Sequence, residues 1–183
     1  MSDFVKGLAG IVAAETNMSF IDGQKGILEY VGIPIGELAS KGTFEESVYL
    51  LWNQKLPTRA ELDAFNAQIR GYHDLPAGMA NRLISLPMQA HPMHVLRTMI
   101  SALSMHDPDP NNIELDAVRD KAMKILSRAP TLIAYFDRYR RGLPLIHPHK
   151  ELSFAGNFLY MLNGAKPTEG HASQPLRIEF GQR

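Results

Sequence analysis

The sequence predicts an all-α, mainly helical fold with one small N-terminal β-hairpin, and three observations carry that expectation. From Thr43 onward, apolar residues recur at three- and four-residue intervals along most of the chain, the period of a helix with one buried face. Thr43 with Glu46, and Thr58 with Glu61, form two Thr-x-x-Glu boxes, in which a hydroxyl and a carboxylate satisfy otherwise unpaired amides at a helix start. Only "NMSFIDGQKGILEYVGIPI" (17–35) has marked strand character, with β-prone runs "MSFI" and "ILEYV" on either side of the turn-forming "DGQKG".

Taken in order, the hairpin comes first. A helix from Thr43 then carries Phe44, Val48, Leu51 and Trp52 on one face and stops at Leu56-Pro57. A second, from Thr58, carries Leu62, Phe65, Ile69 and Tyr72. A third fits residues 76–86, with Met79, Leu83 and Leu86 inward and Pro87 closing it. A fourth begins at Pro92, whose missing amide hydrogen costs nothing in a first turn, and repeats Met93, Leu96, Met99, Ile100 and Leu103. After the breaker "HDPDPNN", residues 114–141 resume the period, with Pro130 expected to kink or restart the helix and Gly142 to end it. The last helix spans 151–164, with Leu152, Ala155, Phe158, Leu159 and Leu162 inward and Gly164 as its stop. Beyond it, "AKPTEGHASQPLRIEFGQR" has no period that would hold it to a core, so 168–183 reads as a flexible tail.

Composition narrows the function. A chain of 183 residues, 45% hydrophobic and 21% charged, suits one globular domain or most of a larger one. Lys+Arg and Asp+Glu are both 19, so no broad field favours nucleic acid or an anionic membrane. The absence of cysteine excludes disulfides, thiolate metal sites and cysteine nucleophiles. The apolar run that stops at Glu15 follows Asp3; it is too short to span a membrane and lacks the basic start of a signal peptide. The expectation is a soluble, cytoplasmic protein with neither nucleic acid nor membrane as partner.

Candidate chemistry is sparse. His91 and His94, three apart at a helix start, supply half of a metal site at most, and His91 before Pro92 suits a capping role. The neighbouring methionines suit adaptable packing. His147 and His149, held apart by Pro148, read as solvated loop residues. Glu45 and Glu46 suit the positive end of a helix, Asp107 and Asp109 a turn, and the arginines of "RYRRG" (138–142) a helix C-terminus. "GLAG" (7–10) and "DGQKG" are too sparse to cradle phosphate. The residues by themselves assign no catalytic, cofactor-binding or metal site. Three readings compete: an all-α metal or ligand binder using these histidines, a non-catalytic interaction module, and part of an enzyme whose reacting groups lie elsewhere.

A resemblance favours the last. "KGLAGIVAAETNMSFIDGQKGILEYVGIPIGELA" (6–39), "TFEESVYLLWNQKLPTRAEL" (43–62), "HPMHVLRTMISAL" (91–103), "AMKILSRAPTLIAYFDRYRRG" (122–142) and "LSFAGNFLYMLNGAKP" (152–167) resemble, in this order, citrate synthase and 2-methylcitrate synthase, most closely the bacterial form. The resemblance implies a mostly helical homodimer that condenses acetyl-CoA with oxaloacetate to citrate and free CoA, with acetyl-CoA as co-substrate and no metal. Residues 1–167 would then be a partial, truncated large domain of the N-terminal portion, with the small domain absent. The family's catalytic histidines, aspartate and arginines would lie downstream of the matching segments. Where an "LHADH"-like run is expected, the sequence reads "EGHASQPLRIEFGQR", so His171 takes no role and the chain is expected to be inactive alone. Two further positions stand out: Val31, where the family commonly has arginine, and Lys6, where relatives often carry a basic residue near the CoA phosphates. The helices near 91–103 and 114–141 would pack against the same pair of a second copy, or against a full-length citrate synthase subunit.

Overall fold

The computed structural model describes residues 14–167 together with Gly7 and Val12. The chain forms two compact units that divide between Pro57 and Thr58.

The first unit holds a three-stranded antiparallel sheet, β1 (Ser19–Asp22), β2 (Ile27–Tyr30) and β3 (Ile33–Pro34), in that spatial order. Phe20 pairs with Glu29 and Ile21 with Leu28. The hairpin is therefore present where expected, and a short third strand extends it. In the turn before β2, Asp22 Oδ1 accepts the amides of Gln24 and Lys25 at 3.1 and 3.0 Å, so local side-chain bonding shapes "DGQKG". Between the paired Tyr30 and Ile33 lie only Val31 and Gly32, with φ of 52° and 76°. Two positive φ values suit the right-handed twist of the flanking strands; glycine takes this conformation freely, whereas the branched side chain of Val31 is strained in it. Two helices follow, α1 (Ile35–Lys41), which the periodicity did not separate from the hairpin, and α2 (Phe44–Asn53). α2 opens with the expected capping box: Glu46 N–H donates to Thr43 Oγ1 at 3.2 Å and Thr43 N–H to Glu46 Oε2 at 2.7 Å. Its most buried side chain is Leu50, whereas Phe44 stays exposed. Trp52, the chain's one tryptophan, lies in the last turn.

The second unit is helical throughout. α3 (Arg59–Gly71) starts in the other capping box, at Thr58 and Glu61, and buries Phe65 and Ile69. α4 (Met79–Ile84) is shorter than the predicted 76–86, because Gly78 takes φ 81° at its N-cap. α5 (Pro92–Leu103) runs into a single 3₁₀ turn (Ser104–His106). α6 (Leu115–Arg140) passes through Pro130 without restarting. An internal proline costs about 3 kcal/mol; here α3, α4, α5 and α7 all pack along α6, and burial of Leu132, Tyr135 and Phe136 just beyond Pro130 contributes about 1.5–3 kcal/mol per side chain. α7 (Phe154–Asn163) starts at Ser153, whose Oγ accepts the Gly156 amide at 3.1 Å, and ends at Gly164 with φ 81°. The sequence placed its start three residues earlier, at 151.

Met79, Leu83, Val95, Met99, Leu132, Phe136 and Met161 form the core of this unit. The faces differ from the apolar periodicity in one respect. On α6 the buried residues include Ser127, Thr131 and Arg138, while Leu115, Val118, Ile125 and Ile133 are exposed; on α7 the buried face is centred on Gly156, Asn157 and Met161. Polar groups that find partners can be buried, as Thr131 and Arg138 are, whereas Ser127 Oγ is buried without one among the described residues; a pattern read from apolar residues alone misses all three. The predicted tail, 168–183, lies outside the described residues, as do Lys6 and His171. No helix among the described residues is long and apolar enough to cross a membrane.

Candidate functional site

Two features of the second unit are built by several elements: a buried polar seam and an apolar groove.

The seam joins the end of α3 to α6 and α7. His73, two residues beyond α3, is only 4% exposed. Asn157 of α7 locks it: its Oδ1 accepts the His149 amide at 2.8 Å, so its Nδ2 donates to His73 Nδ1 at 2.7 Å. An accepting Nδ1 carries no proton, which makes His73 neutral with its hydrogen on Nε2. Burial lowers its pKa below the usual histidine value, opposed by Asp74 and reinforced by Arg70. Thr131 Oγ1 donates to the His73 carbonyl at 2.9 Å. One turn-spaced row on α6 holds Tyr72: Asp120 accepts its hydroxyl at 2.8 Å, and Lys124 and Arg128 lie 5.7 and 5.9 Å from its ring centre. The hydrogen bond from Tyr72 to Asp120 raises the tyrosine pKa, and the bond from Lys124 depresses that of Asp120. At the far end, buried Arg138 donates to the carbonyls of Pro144 and Leu162, the latter at 2.9 Å, tying α6 to the loop before α7 and to its last turn. Each of these groups points at a fixed protein partner, which is the arrangement of a structural tie.

The groove runs between α5 and α6. Met93, Leu96, Met99, Leu132, Ile133 and Phe136 line about 250 Å³, with Asp137 and Arg140 at one rim. Met93 is 60% exposed and Ile133 41%. Arg140 lies over the Phe136 ring, 5.7 Å from its centre.

The other sequence candidates fall outside a common centre. His91 caps α5, its Nδ1 accepting the Met93 amide at 3.2 Å, and its ring lies 5.2 Å from that of His94. His147 and His149 are held more firmly than a solvated loop implies: Tyr135 Oη lies 3.3 Å from His147 Nδ1, and His149 packs edge-on against Tyr160. Glu46 serves its cap, Asp107 accepts the Asp109 amide at 3.0 Å, and Arg141 pairs with Asp137 at 3.1 Å. Val31 sits in the β2–β3 turn. No three His, Asp or Glu side chains among the described residues are grouped to hold a metal. Sequence reasoning missed His73 and Asn157. The one available signal is "YHDLP" (72–76), a histidine just past a helix end and before a proline.

Comparison with known proteins completes the description. A family model described as "Citrate synthase, C-terminal domain" matches residues 7–178. A citrate synthase of Deinococcus radiodurans is 39% identical over 172 residues, covering 94% of this chain and 46% of that protein. A 2-methylcitrate synthase of Mycobacterium tuberculosis is 42% identical over 165 residues, with 90% and 42% covered. The crystal structure of citrate synthase from Pyrobaculum aerophilum superposes with a TM-score of 0.82 at 32% identity, over 90% of this chain and 43% of that one. The chain thus spans less than half the length of these relatives.

Proposed function

Because the chain belongs to the citrate synthase family, we propose that it supplies the helical scaffold of a synthase that joins a short acyl-CoA, acetyl-CoA in the first instance, to oxaloacetate, and does not perform the condensation unaided. In this reading residues 1–167 are the N-terminal, large-domain part, although the matching family model is described by the C-terminal domain. Residues 168–183 are a divergent tail. The resemblance of the successive segments supports that placement. The protein acts in the cytoplasm and uses no metal.

The observation that carries the scaffold role is the α5–α6 groove. Apolar side chains exposed together on two adjacent helices are a self-association surface in waiting, and residues 91–103 and 114–141 are where the family resemblance puts the contact between subunits. The occupant is a second copy of this chain or a full-length synthase subunit. Condensation needs a base to take a proton from the acyl methyl group, donors to hold the resulting enolate oxygen, and cations for the oxaloacetate carboxylates. Three of the described histidines are committed elsewhere: His73 to Asn157, His91 to its helix cap and His149 to the Glu151 amide.

The test is thiol titration of the purified chain with acetyl-CoA and oxaloacetate, against a mock purification. The chain has no cysteine, so every thiol detected is product. We expect no release above the mock, together with a dimer or larger species in sedimentation. Release that tracks the protein would place the chemistry within these residues. A clean monomer at micromolar concentration would remove the groove's role. Co-purification with a full-length synthase would favour the second reading, a non-catalytic paralogue that docks on its active relative.

A further inference from the structure

The 3₁₀ turn after α5 is joined to α6 by "DPDPNNIE" (107–114), a run in which Pro108 and Pro110 have no amide hydrogen. Three of its carbonyls converge on one side chain. Lys121, two turns into α6, reaches back towards the loop, and its ammonium donates to the carbonyls of Asn112 at 2.7 Å, Asp109 at 2.8 Å and Pro110 at 3.0 Å. The Asp107 carboxylate lies 3.8 Å from the same nitrogen. Backbone carbonyls and a carboxylate around one positive centre are the oxygen donors with which proteins enclose hard cations. We propose that residues 107–112 form a monovalent-cation site whose ion is built into the chain as the Lys121 ammonium.

The number and kind of its partners single out Lys121. Lys25, Lys41 and Lys124 each pair with a carboxylate three or four residues away, whereas the carbonyls around Lys121 come from residues 9 to 12 positions away. An ammonium has three protons, and the three carbonyls take them all; Asp107 supplies the balancing charge. The oxygens are also held by bonds within the loop. Asp107 Oδ1 accepts the Asp109 amide at 3.0 Å, and the Asn112 amide donates to the Asp109 carbonyl at 3.3 Å. One carboxylate balances one positive charge, and the contacts match charge-assisted N–H···O bonds. Mg²⁺ demands octahedral oxygens at about 2.0–2.1 Å, which this loop could supply only by contracting.

The ion has a task in the fold. Glu114, the N-cap of α6, makes no side-chain capping bond. Asn112 Oδ1 accepts the Glu114 amide instead, at 2.9 Å, and Lys121 fixes Asn112 through its carbonyl. The caged ammonium therefore sets how the chain enters α6, whether or not the synthase reading holds.

The test removes the tether and supplies the ion from solution. Hydrogen exchange over residues 109–115 is followed by mass spectrometry in the full chain, in Lys121→Ala and in Lys121→Met. Each is measured in ammonium chloride and in tetramethylammonium chloride of equal ionic strength, which screens charge but has no N–H to donate. In tetramethylammonium both variants should exchange at least about tenfold faster than the unaltered chain. Ammonium should restore protection to Lys121→Ala alone, because the methionine side chain fills the space the ion needs, and should leave the unaltered chain as it was. Unchanged exchange in Lys121→Ala would overturn the proposal, as would equal effects of the two salts, equal restoration of both variants, or restoration by magnesium chloride as complete as by ammonium. If Lys121→Ala does not fold, acetylation of the unaltered chain with acetic anhydride decides. The Lys121 and Lys124 side chains are similarly accessible, 22% and 27% exposed, yet an amine with all three protons committed should be labelled at least about tenfold more slowly. Equal labelling of the two would also overturn the proposal.

Discussion

The two sides of α6 depart from the usual arrangement of a surface helix. Its inner side buries Ser127, Thr131 and Arg138 beside Leu132 and Tyr135, whereas Leu115, Val118, Ile125 and Ile133 are exposed on it. Inside, most polar groups find partners, Thr131 on the His73 carbonyl and Arg138 on those of Pro144 and Leu162, so burying them fixes the register of α3, α6 and α7 as well as their proximity. Outside, Ile133 belongs to the α5–α6 groove and is left 41% exposed. The inner side thus carries the fold's specificity, and the outer side is where we propose association.

That division breaks most visibly at Asn157. Asn157→Leu keeps the volume but leaves His73 Nδ1 and the His149 amide without their partner, and each buried unpaired group costs about 1–3 kcal/mol. We expect a loss of about 3 kcal/mol in urea unfolding; a loss below about 0.5 kcal/mol, the size of an ordinary surface change, would show that the seam does not hold these elements together.

Acid is the next lever. Burial puts the folded pKa of His73 below its unfolded value near 6.5, so the unfolded chain binds more protons between those two values and stability rises with pH there. On acidification the loss begins near the unfolded value and ends at the folded one, with a slope of at most about 1.4 kcal/mol per pH unit from this group. The geometry gives the same sign, because a protonated Nδ1 would set a donor against the Asn157 amide donor. Comparing unfolding of the protein and of His73→Gln across this range should show the slope reduced in the variant. An equal slope in both would assign the acid sensitivity to other groups.

The smallest stability effect is expected outside. Ile133→Ser should change the unfolding free energy by no more than about 0.5 kcal/mol per protomer, as exposed positions do, yet shift sedimentation towards smaller species. A large loss of intrinsic stability with unchanged association would invert the comparison.

Much of this was legible in the residues. The capping boxes at Thr43 and Thr58, the proline start of α5 and the glycine stop of α7 are local chemistry, carried by a few adjacent residues. The family resemblance, spread over collinear segments, was equally plain. The buried face of α7 was not, because Asn157 reads as polar and therefore outward until His73, 84 residues away, supplies its partner. Pro130 misled for a similar reason: its cost is local, while the packing that offsets it comes from four other helices. The apolar groove was half visible, since methionines at helical spacing suit adaptable packing without distinguishing a core from an interface. The polar seam depends on contacts between distant segments, and no period reports those.

Trp52 lies in α2 of the first unit, and the chain has no other tryptophan. Tyr72, Tyr135, Tyr139 and Tyr160 lie in the second unit. The molecule therefore carries its own pair of optical labels. Emission excited at the red edge, where tyrosine does not absorb, comes from the sheet-bearing unit alone, and four of the six tyrosines colour the ultraviolet absorbance of the helical one.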